Sequence, residues 1–226
     1  MTQDILDSGG AATPRCCGQT VKFDGATPAY RRVLGAVIAI NVAGFVAILV
    51  GGVVQGSSAL AANALDFLAD SATYAISLWA IGKSVQVRSG AAVLKSLSLL
   101  LMAGSVLGYT IWRAMTGQPP EGAVITGLGL FGFAANLLAA YLLLGYRDGD
   151  ANVRSVWLCT RNDLVHSLGV VAAGGLVWLT GSRWPDLVVG ALLGAVFLHS
   201  AVLIVMQARR EMRTARRAPA TPLIDR

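Results

Sequence analysis

Charged residues are scarce in this sequence: Asp, Glu, Lys and Arg together make up 13% of its 226 residues. Aromatic residues contribute only 7%, and there are three cysteines and two histidines. A disordered chain stays solvated through abundant charge, and an ordinary soluble domain carries about a quarter of its residues charged, so both classes are excluded. Cys16, Cys17 and Cys159 are too few and too unevenly placed for a disulfide framework and read as reduced thiols or metal ligands. Residues 1–29 are polar and contain Gly and Pro, without the apolar stretch that a cleavable signal peptide requires.

What the sequence has in abundance is apolar length. Hydrophobic residues reach 55%, with 26 Gly, and mean hydropathy is +0.63. Residues 33–65, 96–112, 122–146, 164–182 and 187–208 contain no Asp, Glu, Lys or Arg. A helix needs about 20 mostly apolar residues to cross the hydrocarbon. Breaking the first run at Gln55-Gly56-Ser57 and extending others across isolated charges predicts six spans, at 33–54, 58–81, 91–113, 122–146, 155–180 and 186–207. No segment alternates with a period of two, so a β-barrel is not expected. The expected fold is an all-α membrane protein of six transmembrane helices. It divides into a polar N-terminal segment (1–29), a six-helix transmembrane domain (30–208) and a short basic tail (209–226).

The formal net charge of +6 and pI near 9.7 raise the question of nucleic acid. Position answers it. With the N-terminus in the cytoplasm, eleven Lys and Arg between Lys22 and Arg213 flank the helices on that side, against Arg113 and Arg183 on the other. Such a bias is the positive-inside signature, which predicts both termini cytoplasmic and leaves no need for a nucleic-acid partner. The tail reads as a solvated anchor beside anionic headgroups.

Asp66, Asp70 and Asp163 fall inside predicted spans, where each carboxylate costs about 2.5–3.5 kcal/mol to insert. Retained acids are expected to face a cavity, a cation or a proton site. Asp66 and Asp70 lie one helical turn apart on one face, and Cys159 and Asp163 repeat that spacing on the fifth span. Facing each other, the two pairs supply three carboxylates and a thiolate, a mixed hard and soft set that suits zinc or cadmium better than magnesium or calcium. The ordinary alternatives are ion pairs with Arg161 or Lys95 for the acids, and simple packing for Cys159.

At these residues the sequence resembles the cation diffusion facilitator family of divalent-metal transporters. The stretch from Ser58 to Asp70 is similar to that family's signature Ser-x-Ala-Leu-x-x-Asp-x-x-[His/Asp]-x-x-x-Asp, with Asp66 and Asp70 on its two metal ligands. Cys159-x-x-x-Asp163, followed by His166-Ser167-Leu168-Gly169, is similar to the second ligand pair, and Trp184-Pro185-Asp186 to the opening of the sixth helix. Three departures stand out. Asn63 replaces the more usual Asp, at a position beside the ligands or at their entrance; Cys159 replaces His or Asp; and the family's C-terminal metal-binding and dimer-forming domain is expected to be absent.

The resemblance implies a proton-coupled antiporter that exports zinc or cadmium, with cobalt, iron and manganese as further candidates. It implies a multi-pass protein of the bacterial inner membrane, acting as a homodimer, with the divalent ion and protons as substrates and no resident cofactor. Its metal ligands are Asp66, Asp70, Cys159 and Asp163. His166 is a proton acceptor, an alternative ligand or a helix contact. Asn41 and Asn136 are interhelical hydrogen-bonding groups or pathway residues. His199 is expected to be structural, and Cys16-Cys17 to capture a soft metal or to do nothing with it. Two rival functions use the same acids: an intramembrane aspartyl enzyme, whose Gly-x-Gly-Asp type of motif does not occur here, and a non-transporting assembly factor with structural ion pairs.

Overall fold

A computed structural model of the chain describes residues 27–80, 85–148 and 151–217, with side chains placed for 27–79, 97–148, 156–203 and 206. Cys16, Cys17 and the tail beyond residue 217 lie outside the described residues. Six helices follow in order: α1 (Pro28–Gln55), α2 (Ser58–Ala80), α3 (Val85–Thr116), α4 (Gly122–Leu143), α5 (Ala151–Thr180) and α6 (Trp184–Arg217). A single 3-10 turn, Leu144–Tyr146, extends α4, and there is no strand among the described residues.

The helix limits follow local chemistry. Thr27 caps α1, its side chain accepting the Tyr30 N–H at 3.3 Å, and Pro28 fills the first turn where no amide donor is needed. The long first apolar run is cut where the sequence predicts. Gly56 takes φ +63°, the left-handed conformation that costs a residue without Cβ nothing, and the Ser57 N–H returns to the Gly52 carbonyl at 3.1 Å. Helices α3, α5 and α6 run past the predicted spans, and α6 continues to Arg217, into the segment set apart as a basic tail. Helix does not stop where hydrocarbon stops, so a span read from hydropathy is shorter than the helix that contains it.

Five helices contain segments long and apolar enough to cross a membrane, and α2 is not among them. At about 1.5 Å per residue its 23 residues still reach about 34 Å, enough for the hydrocarbon. Its low hydropathy has a structural reason: α2 packs against all five other helices, and over 58–79 only Ala72, Ala75 and Trp79 are exposed. Protein surrounds it where lipid surrounds the others. Helix α1 shows the converse, with Val42, Val46, Val50, Val53 and Val54 exposed along one face. Such a surface is untenable in water and matches lipid. The chain is a multi-pass integral membrane protein.

Helices α1, α2, α5 and α4 close a four-helix ring, and α3 pairs with α6 and leans on α2 and α5. Small residues let the backbones approach. A Cβ on Gly174 of α5 would stand 2.5 Å from the Thr126 N of α4, and one on Gly190 of α6 would stand 2.9 Å from the Ser58 carbonyl carbon of α2. The turns after α1, α3 and α5 gather at one end of the bundle, here called the far end. There the Glu121 N–H donates to Gln55 Oε1 at 3.3 Å, and the Arg183 guanidinium donates to the Gly117 carbonyl at 2.5 Å.

At the far end, α6 supplies the cap of α2. Ser57 Oγ accepts the Leu60 N–H at 3.1 Å and donates to Asp186 Oδ1 at 2.5 Å. The Ser58 and Ala59 amides donate to the same carboxylate, at 2.8 and 3.1 Å. Asp186 is 1% exposed, so a negative charge is held in the dry interior by the orphan amides and the positive dipole end of α2. Removing it strands three buried donors, a defect worth about 1–3 kcal/mol. Asp186→Ala is therefore expected to lower the thermal midpoint of the detergent-purified protein by several degrees; an unchanged midpoint would show that the cap contributes nothing to holding α2 against α6.

Candidate metal centre

The polar face of α2 and the polar face of α5 meet inside the bundle. Asp66 is 6% exposed, Asp70 9% and Asp163 5%, all within segments surrounded by apolar side chains. They line one cavity of about 340 Å³ together with Cys159, Asn162 and His166 from α5, Thr73 from α2, Leu99 from α3 and Phe197 and Ser200 from α6. The cavity thus lies on the seam between the four-helix ring and the α3–α6 pair.

With i, i+4 spacing on each helix, Asp66 and Asp70 of α2 and Cys159 and Asp163 of α5 all reach this cavity. The tightest grouping among the described residues is Asp66, Asp163 and His166, each offering a ligand atom within 4.8 Å of the others. His166 Nδ1 stands 2.9 Å from Asp66 Oδ2 and 3.7 Å from Asp163 Oδ1. Asp70 accepts from the Tyr74 hydroxyl at 3.0 Å, and that hydroxyl also meets Thr160 Oγ1 at 2.8 Å. Asp163 Oδ2 is buried and has no protein hydrogen-bond partner. A buried carboxylate oxygen without a donor is costly, and three carboxylates around one cavity repel one another unless a cation or protons neutralise them.

The bases that might have paired with these acids do not do so among the described residues. Arg161 is exposed on α5 and forms no ion pair with them, while the side chain of Lys95 lies outside the described residues. Imidazole and carboxylate, with a thiol one turn away, form a donor set that zinc and cadmium accept. Zinc bonds of about 2.0–2.2 Å hold tetrahedral donors about 3.2–3.6 Å apart, between the two separations measured from His166 Nδ1.

Asn63, Asn136 and Asn41 are buried but do not line the cavity. Asn136 Nδ2 donates to Ser167 Oγ at 3.1 Å and to the Asp163 carbonyl at 3.3 Å, and Ser167 Oγ donates to Asn63 Oδ1 at 3.4 Å. These three side chains make a polar seam between α2, α4 and α5, one layer behind Asp163. Asn41 donates to the Val37 carbonyl of its own helix at 2.9 Å. His199 is exposed on α6, away from the acids. Two groups were not singled out from the sequence, Tyr74 and Thr160. Tyr74 follows Asp70 by four residues, the same spacing that joined the acids, so its local placement was legible, but its reach to α5 was not.

Residues 34–212 match the model of the cation efflux transmembrane domain family. The chain is 28% identical to a zinc transporter, ZitB, of Pectobacterium atrosepticum over 195 residues, covering 80% of this chain and 61% of that protein. It is 26% identical over 175 residues to the metal cation efflux system protein CzcD of Cupriavidus metallidurans, covering 72% and 55%. Against a cadmium, cobalt and zinc/H(+)-K(+) antiporter of Bacillus velezensis it is 27% identical over 168 residues, covering 67% and 53%. The chain spans about half to three fifths of the length of these curated relatives. Since the match takes in most of α1, all of α2 to α5 and most of α6, with both polar faces of the cavity, the chain belongs to the cation efflux transmembrane domain family.

Proposed function

We propose that this protein exports a divalent metal cation across the bacterial inner membrane, taking zinc or cadmium in exchange for protons, with Asp66, Asp70, Cys159 and Asp163 as the metal ligands. The observation that carries the reading is the meeting of three buried carboxylates, from α2 and α5, in a cavity within the membrane-spanning bundle. Relatives described as zinc, metal cation and cadmium, cobalt and zinc transporters support the substrate class. The antiport named for one of them supports coupling to protons. Transporter relatives also favour transport over the catalytic use of paired acids.

The chemistry of exchange follows from the donors. A metal ion needs deprotonated carboxylates and thiolate, so binding releases protons, and protonation of the same groups expels the ion. One cavity serves both substrates in turn. Access changes if the α3–α6 pair slides on the four-helix ring, because Leu99 and Phe197 of that pair form one wall of the cavity and the acids form the other. The thiolate of Cys159 adds a soft donor to an otherwise hard set and biases selection toward cadmium.

Asp163→Asn and Asp70→Asn are each expected to lower zinc-driven proton exchange in proteoliposomes at least about tenfold, with helical content by circular dichroism unchanged; full exchange by both variants would overturn the assignment. Cys159→His exchanges sulfur for nitrogen, so the cadmium-to-zinc ratio of transport rates is expected to fall. A ratio equal to that of the parent would show that Cys159 does not touch the ion.

A further inference from the structure

Helix α5 carries donors on both sides of Asp163. Cys159 lies one turn toward the Ala151 end, and His166 lies three residues toward the far end, all on one face. On α2, Asp70 and Asp66 are ordered in the same direction, since α2 starts at the far end beside Asp186. The cavity therefore has two tiers along the bundle axis: Asp70 and Cys159 in one, and Asp66 and His166 in the other, about one turn along α2 and about two turns along α5 toward the far end, with Asp163 between them.

We infer that Asp66, Asp163 and His166 form an inner metal subsite, so that the ion has a deeper position with a nitrogen donor in addition to the outer position beside Cys159. The inference rests on the metal-transport reading above and goes beyond its ligand set. Three observations carry it. The three side chains are the group whose ligand atoms lie within 4.8 Å of one another. Asp163 Oδ2, in a side chain only 6% exposed, has no protein hydrogen-bond partner, and Asp163 lines the same cavity. The imidazole presents Nδ1 to both acids, at 2.9 and 3.7 Å, so a cation between them would meet all three side chains.

In the other tier Asp70 accepts from the Tyr74 hydroxyl, which in turn meets Thr160, and Asp70 also interacts with Asp163. Asp66 has the imidazole instead. When no ion is bound, the Nδ1–H tautomer donates to Asp66 Oδ2. An ion at Nδ1 takes the place of that proton, which moves to Nε2 or leaves, and the carboxylate turns from accepting a hydrogen bond to binding the metal. Two carboxylates and one imidazole select zinc-like ions over magnesium or calcium, which prefer oxygen alone. Sharing Asp163 between tiers lets an ion move about 5 Å, one helical turn, without losing all of its ligands at once.

The test is zinc and cadmium binding by isothermal titration to the full chain in detergent, using His166→Gln, His166→Cys, Asp163→Asn and His199→Gln. The chain has two histidines, and His199 is exposed outside the cavity, so His199→Gln serves as the control and is expected to bind as the parent does. His166→Gln is expected to weaken zinc binding at least about tenfold, and His166→Cys to regain it with a cadmium-to-zinc affinity ratio raised at least about tenfold. His166→Gln binding zinc within about twofold of the parent would overturn the inner subsite. If the Gln variant does not fold, the Cys variant decides: an unchanged cadmium-to-zinc ratio overturns the proposal equally. Loss of binding in Asp163→Asn with none in His166→Gln rejects the inner subsite alone, whereas parental binding in Asp163→Asn rejects the metal reading as a whole.

Discussion

Three carboxylates placed within a hydrocarbon slab must be enclosed by protein, and that requirement shapes the bundle around α2. A helix bearing Asn63, Asp66, Asp70, Ser71 and Ser77 is too polar to face lipid, so it is ringed by the other five. Each of those five then turns its most apolar side outward, as the exposed valines of α1 show. The result departs from the soluble pattern at the surface: large aliphatic side chains lie outside as well as in the apolar core, and the acids are confined to one cavity inside it. Attraction between apolar faces cannot assemble such a bundle in lipid, so close contacts at Gly174 and Gly190 and interhelical hydrogen bonds take that role.

Enclosure of α2 is not uniform along its length. At the far end Asp186 and Ser57 fasten its first turn to α6 through a buried carboxylate. Toward the other end, the same two helices line opposite sides of the cavity. One pair of helices is thus joined tightly where the chain turns and parted where the acids lie.

The predicted donors form the cavity as a set, yet their partners differ from those that spacing alone suggests. Asp66 pairs most closely with His166 across the helix interface, while Asp70 is engaged by Tyr74 on its own helix. Asn136, read as an interhelical hydrogen-bonding group or a pathway residue, joins Ser167 and Asn63 in a seam behind Asp163. That seam fixes the backbone of α5 at the residue that both tiers of the cavity share. A hydrogen bond to the Asp163 carbonyl constrains where its carboxylate projects.

Much of this protein was determined along the chain itself. Charge-free runs, the turn at Gly56 and the inward placement of Asp66, Asp70, Cys159 and Asp163 are local properties, because hydropathy and the helical repeat act over a few residues. Even α2, whose hydropathy falls short of its neighbours', follows from breaking the long charge-free run at Gln55-Gly56-Ser57 and extending it across Asp66 and Asp70. Tertiary structure decided what lies opposite. One residue advances a helix by about 100°, so the face that α5 presents to α2 depends on how side chains from all six helices interlock. Hence only the packed bundle sets His166 Nδ1 against Asp66, 100 residues away, and brings Asp186 back across 128 residues to cap Ser58.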